Sequence, residues 1–443
     1  MAEAPKQSMT ARRKARKRAL EVLYEADLRD LPLRDVLSQY VQRLEVPRPE
    51  HLGYAIGLAV ALYAAFVFDR DLDSPFLYVL MGTAVLLGAA ALVSRAGPAF
   101  KALLFNVAVF ALAVGIAEAS FGGWLALGRE GAARPAMRYE GEFFRKLGGG
   151  YFVADPARGY AAEPNVMARE TVWAGDEKVQ DVVYTTNRHG LRVSPHDVAT
   201  VPSAGEPTKV VFFGCSVTVG EGVADRETMP WVFETLSEGR LRSYNLGFHG
   251  YGPHQMLRIL ETGLVDEVVP GKPPARAVYQ GLIEHIERAA GNYPAISWGP
   301  TAPRYALRED GSVEYRGPFY GRYGDTVFPV LNRSHVFAKV APSLLGHRRT
   351  PQDIALYVAI VKRSKELFEA RYGGQFSVVM WGGYNGDYAL VVDRLRQAQI
   401  KVFEVHKIIP DIYTADWKYK LVRDEHPNAT THALIAKFLL ETL

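Results

Sequence analysis

Cysteine is almost absent from this chain of 443 residues: Cys215 stands alone. A single thiol excludes an internal disulfide framework and most cysteine-based metal sites, and it leaves the redox compartment unread. No stretch has the spacing of a metal-ligand cluster, so no cofactor is expected. Internal repeats and low-complexity tracts are also lacking. A strong charge of one sign is missing too, the formal net charge being only +4. That balance excludes nothing about nucleic acid, because six of the eight residues in ARRKARKR (11–18) are basic. No cleavable signal peptide is expected, since an amphipathic segment and no apolar h-region follows the basic stretch.

What is present is a globular composition, 48% hydrophobic and 23% charged, at a length that predicts two or three units. Three apolar stretches without charge come first: 52–68, 76–94 and 102–117, of 17, 19 and 16 residues. About 20 such residues cross a bilayer core, with about 17 as the lower limit. They are expected to be three transmembrane helices within 51–121; buried core helices are the alternative. The basic N-terminus and the Arg95–Lys101 connection predict cytoplasmic ends, while DRDLDSP (69–75) faces the other side. Everything after about residue 122 is then extracytoplasmic, on a chain embedded in the cell's inner membrane. If 52–68 fails to span, the large domain faces the cytoplasm instead.

Ahead of these runs, 9–40 places Ala19, Leu20, Val22, Leu23, Leu28 and Leu33 on one helical face, with a break near Pro32. The stretch ARRKARKRALEVLYEADLRD resembles the start of the antitermination factor NusB, whose arginine-rich N-terminus implies RNA binding. A segment of 1–50 is too short to close that family's core. The simpler expectation is a basic cytoplasmic helix held near anionic headgroups, with nucleic acid not a partner.

After a lead-in or stalk over 122–183, YTTNRHGLRV (184–193) reads as a short strand and turn. Five strand patterns then alternate with helical ones: 209–213, 242–246, 276–280, 376–381 and 401–405, with helices near 227–238, 253–263, 351–371, 387–398 and 429–440. That alternation predicts an α/β domain over 184–443, a three-layer parallel sheet flanked by helices. Residues 291–350, rich in Gly, Pro, Tyr and Arg, form an insertion expected to serve as a lid or substrate wall.

Chemistry-bearing residues gather where strands end. VFFGCSVTVGEGV (211–223) runs a buried strand into a glycine-framed turn that lifts one small polar side chain at the sheet's carboxyl edge. Alone, Ser216 reads equally well as a helix cap. A serine hydroxyl needs a base within hydrogen-bond reach, and His426 in RDEHPNATTHALIA (423–436) is the candidate, with Asp424 to orient its ring. Pro427 and Asn428 fit the start of the last helix.

Together with YNLGFHGYGP (244–253), these blocks resemble the SGNH, or GDSL-type, hydrolase superfamily, and TNRHGLR (186–192) resembles segments that precede the first block in membrane-anchored members. The resemblance implies a flavodoxin-like fold and a Ser216–His426–Asp424 triad, with backbone N–H groups of Ser216 and Gly247 in an oxyanion hole. It implies a serine esterase, with an ester or an acylated glycan or lipid as substrate. Transfer to a hydroxyl of an envelope polysaccharide, a catalytically inactive binding domain, and RNA binding through the N-terminal segment are the alternatives.

Two departures stand out. Ile283 occupies the place of the family's third-block asparagine, leaving His285 as a possible substitute donor; and Asp424 lies two residues before His426 where three is usual. Cys215 is a rival nucleophile on paper, but neighbouring side chains on a strand point apart, so it is expected to pack beneath the turn. His249 and His254 are expected to border the cleft or to be structural.

Overall fold

The computed structural model describes residues 151–199, 203, 205–292, 301–319, 348–382 and 386–443, together with 137–141, scattered positions between 99 and 115, and residue 337. The chain divides into two units, 1–131 with 329–340 and 132–328 with 341–443. In the first, the described positions between 99 and 115 are helical. The basic segment 1–50 and the apolar runs 52–68 and 76–94 lie outside the described residues. Among the described residues no helix is long and apolar enough to cross a membrane.

The second unit starts earlier than the sequence pattern predicts. The region read as a stalk carries strands β1 Met137–Gly141, β2 Phe152–Asp155, β3 Gly159–Ala162, β4 Met167–Ala174 and β5 Glu177–Thr185. β1, β4 and β5 form an antiparallel sheet, and β2 pairs β3. Strand β4 alternates exposed and buried positions, the pattern of a sheet with one wet face. Tyr151, Tyr160, Ala168, Val182 and Tyr184 of this region belong to the same apolar cluster as Val211 and Phe213 of the α/β core. This stretch is therefore part of the folded domain and not a spacer.

The core sheet comprises β6 Thr208–Phe213, β7 Leu241–Asn245, β8 Arg276–Leu282, β11 Gln375–Trp381 and β12 Lys401–Glu404. All neighbours are parallel, in the order β12-β11-β8-β6-β7. Counted along the chain this is 2-1-3-4-5, the flavodoxin-like order, with its switch point between β6 and β8. Between β8 and β11, β9 Pro303–Leu307 and β10 Val313–Pro318 make an antiparallel hairpin inside the predicted insertion; most of the remainder of 291–350 lies outside the described residues.

Both faces of the sheet are covered. Val211, Phe213, Tyr279, Val378 and Met380 point to one face, against α3 Pro253–Thr262, α4 Pro351–Tyr372 and α5 Gly386–Gln397. Val210, Phe212, Val278 and Val379 point to the other, against α2 Met229–Leu236 and α6 Ala429–Thr442. Residues of β6 thus alternate between two dry faces, which is why the sequence reads as an unbroken apolar run. Helix ends follow local chemistry: Thr350 and Asp353 cap α4 reciprocally, with Pro351 in the first turn, and Gly373 ends it at φ +66°. Asn428 caps α6 by accepting from Thr431 N at 3.2 Å.

Candidate active site

β6 ends beside the switch point, where the order of an α/β sheet opens a crevice at the carboxyl edge. Gly214 leaves the strand at φ +150°, and a Cβ there would lie 2.1 Å from Thr218 Oγ1. Only glycine allows so abrupt a turn. Cys215 caps the four-residue helix α1 Ser216–Val219, which puts Ser216 in its first turn, where backbone N–H groups lack intrahelical partners.

Ser216 Oγ lies 2.8 Å from His426 Nε2 across 210 residues of sequence. On the other side of the ring, His426 Nδ1 donates to Asp424 Oδ1 at 2.7 Å, and the same oxygen accepts from His426 N at 2.9 Å. The short Asp–x–His spacing therefore reaches the ring because the carboxylate folds back over the backbone of the intervening turn. Arg423 supplies the bend at φ +59°. Burial opposes ionisation of the Asp424 carboxyl, yet the hydrogen bond and charge of His426 hold it below its ordinary value. Burial also works against the His426 imidazolium, but Asp424 and the charge of Glu221 outweigh it and raise the ring to about 9.

Glu221 carries no motif and was not predicted. Its Oε2 lies 2.5 Å from His249 Nδ1 and 3.8 Å from His426 Nε2. The loop bearing it is gripped by two side chains. Arg192 donates to Val219 O, Gly220 O and Val223 O. Gly222 N donates to Tyr184 Oη at 2.8 Å, and the Tyr184 hydroxyl in turn donates to Glu170. Burial pushes the Glu170 carboxyl up to about 7. Gly222 itself sits at φ +80°, with Leu421 and Gln180 where a Cβ would go. Gly222→Ala is therefore expected to cost about 1–3 kcal/mol in backbone strain, read as a lowered urea midpoint with an unchanged slope. The only sequence signal for this arrangement was the glycine pair around Glu221.

The remaining candidates are placed differently. Gly247 N donates to Asn245 Oδ1 at 3.2 Å, inside its own turn. A Cβ at 247 would lie 2.5 Å from Thr218 Cβ, so close packing of two turns is what requires this glycine. Cys215 is fully buried, its sulfur 3.8 Å from Ser216 Oγ. His285 is fully buried: Nδ1 lies 2.6 Å from Tyr279 Oη, Leu282 N donates to the same nitrogen, and Nε2 has no partner among the described residues. Burial drives its ring far below the ordinary histidine range. Ile283 is buried in the apolar cluster and offers no donor. Gln280 has Oε1 held by Trp381 Nε1 at 2.8 Å, while its buried Nε2 has no partner among the described residues. His249 belongs to the site through Glu221, whereas His254 is a buried histidine at the start of α3. Among the described residues no group of carboxylates, histidines and cysteine could hold a metal.

No family model matches the chain. Its N-terminal segment is similar to the transcription antitermination protein NusB of Salinispora arenicola, 76% identical over 50 residues, which are 11% of this chain and 37% of that protein. The NusB protein of Acidothermus cellulolyticus is 46% identical over 67 residues, 15% of this chain and 43% of that protein. The chain thus spans about two-fifths of the length of the curated relatives it matches. Among solved structures it is similar to a lipolytic protein of the G-D-S-L family from Desulfitobacterium hafniense, at 13% identity and a TM-score of 0.31, over 53% of this chain and 99% of that one. An acetylxylan esterase from Geobacillus stearothermophilus is similar at 14% identity and a TM-score of 0.29, over 55% of this chain and 95% of that one.

Proposed function

We propose that the second unit is a serine esterase of SGNH type, working by acyl transfer through Ser216, His426 and Asp424. The observation that carries this reading is the continuous hydrogen-bonded line from Ser216 Oγ through both nitrogens of His426 to Asp424. In the first half-reaction His426 Nε2 takes the serine proton as Oγ bonds to the ester carbonyl carbon. The displaced electron pair settles on the carbonyl oxygen. When the tetrahedral adduct collapses, the alkoxide leaves with the proton from Nε2, and Ser216 is left acylated. Water or another hydroxyl then repeats the sequence, Nε2 accepting its proton and returning it to Oγ. Asp424 holds the ring with Nδ1–H outward and offsets the imidazolium charge.

Oxyanion donors are the backbone N–H of Ser216 and, after release from Asn245 Oδ1, that of Gly247. Water as acceptor makes the enzyme a hydrolase; a glycan hydroxyl makes it an O-acyltransferase. Anchorage in the inner membrane by 52–121, with the domain extracytoplasmic, is part of the same proposal. It is supported by the apolar runs and by the exposure of Leu103, Phe105, Val109 and Phe110 on described helical positions of the third. RNA binding through 1–50 has the NusB likeness alone behind it.

The apolar Ile283 and the engaged Gly247 amide favour a second reading, a binding domain without turnover. A fluorophosphonate probe decides between them. The esterase is expected to bond covalently in a one-to-one ratio, with the adduct mapped by mass spectrometry to the peptide containing Ser216. Folded protein that stays unlabelled at every pH up to about 10, well above the ring's titration, would leave only the binding domain.

A further inference from the structure

The serine-facing nitrogen of His426 has two oxygen neighbours, and only one of them is the nucleophile. Ser216 Oγ is at 2.8 Å and Glu221 Oε2 at 3.8 Å. A carboxylate on the Nδ1 side orients a catalytic imidazole. A second one on the Nε2 side stabilises the same proton that the ring must lack before it can act as a base. We propose that Glu221, clamped by His249, is a positioning residue that holds a proton on His426 and so keeps the serine–histidine pair idle until that proton is lost. This rests on the reading of Ser216 and His426 as nucleophile and base, and adds a regulator to it.

The clamp is built, not incidental. Glu221 follows the Gly220 cap of α1, so the turn that presents the nucleophile also presents the carboxylate. His249, on the loop after β7, meets it at 2.5 Å and is itself largely buried among Tyr151, Tyr184 and Phe248 rings. Burial pushes the His249 ring down, so it serves as a neutral donor through Nδ1–H. Burial alone would raise the Glu221 carboxyl, but His249 and His426 hold it below its ordinary value. The carboxylate is thus ionised while the imidazole it faces still carries its proton.

Other titratable groups surround His426. Asp424 lies in its own loop, and Cys215 at the end of β6. Glu170 on β4 stands behind Tyr184 and also feels His426. Arg192 lies over the Tyr184 ring, and His432 of α6 is kept neutral, its ring lowered to about 3 by burial and by the charges of Arg192 and His426. Of these, Glu221 alone combines a carboxylate with the Nε2 face. Asp424 cannot be removed to test the idea, because it also sets the ring's orientation.

The test compares the full-length wild type with Glu221→Gln and Glu221→Asp. A short-chain p-nitrophenyl ester gives kcat/KM from about pH 6 to about pH 10, whose acidic limb reports the free base. Nitrogen-15 histidine NMR follows the His426 ring directly, assigned by its loss in His426→Gln. In the wild type, activity rises with pH because only the neutral ring accepts the serine proton, and the limb falls at about 9. Glu221→Gln is expected to lower both the limb and the ring titration by about one to three units, the usual effect of an opposite charge at this distance. Its kcat/KM at neutral pH then rises about tenfold or more. Glu221→Asp, which retracts the charge by one methylene, shifts both less, and it carries the comparison if the glutamine variant does not fold. A limb and a ring titration that stay where they are in the substituted protein would overturn the proposal. If no variant turns over ester, the esterase reading fails, while the NMR titration still decides the role of Glu221.

Discussion

Ser216→Ala is expected to lower kcat for a short-chain ester about 10⁶-fold, and adding His426→Ala to lower it no further. The reason is the 2.8 Å contact: hydroxyl and imidazole act as one proton-transfer unit, so the first loss already removes what the second would. Residual hydrolysis, about 10³- to 10⁴-fold above water, would come from the oxyanion donors and substrate binding alone. Steady-state assays of the two single variants and the double variant on one substrate measure this. Effects that instead multiply would mean that serine and histidine contribute independently, and the triad reading would fail. The measurement belongs above about pH 9, where the ring is neutral and the wild-type rate is greatest.

Arg192→Met is expected to cost about 3–5 kcal/mol of stability, the range for breaking one member of a buried ionic network. The Arg192 side chain is fully buried and pairs with Asp225 Oδ1 at 2.8 Å. It also donates to Gly220 O and Val223 O, both at 2.7 Å, and stacks 4.3 Å above the Tyr184 ring. Methionine fills much of the volume and supplies none of the donors, so four backbone carbonyls and the Asp225 carboxylate each lose a partner. Lysine is not expected to rescue it, because a point ammonium cannot reach partners spread around a planar fork. Urea unfolding followed by tryptophan fluorescence gives the value. Activity is expected to fall with it, since Val219 and Gly220, whose carbonyls Arg192 grips, end the short helix α1 that presents Ser216.

The parts of this molecule that were legible in the sequence are those with local causes. β6, β8 and β11 show as apolar runs because both sheet faces are dry, and Asn428 shows as a cap because its side chain bonds three residues on. Ser216, His426 and Asp424 stand out because each sits in a turn whose neighbours are small or helix-starting residues. Glu221 was not legible: a glutamate between two glycines reads as a solvated turn, and its partner His249 is 28 residues away. The lead-in was misread for the same reason. Tyr151, Glu170 and Tyr184 look like an ordinary polar β segment until β4 and β5 bring them against the loop after α1. His285 and Gly247 differ in the opposite way. Their residue types suit an oxyanion hole, and what the sequence hides is that Tyr279 meets the His285 ring and Asn245 Oδ1 holds the Gly247 amide. Composition cannot reveal such claims.

The 210 residues between hydroxyl and imidazole also set a clock. At a synthesis rate of about 5–20 residues per second, Ser216 leaves the ribosome roughly 10 to 40 seconds before His426 is made. Throughout that interval the half-made chain holds a mere alcohol with no imidazole beside it. A chain that stops short of His426 therefore keeps Ser216 as unreactive as any free serine hydroxyl.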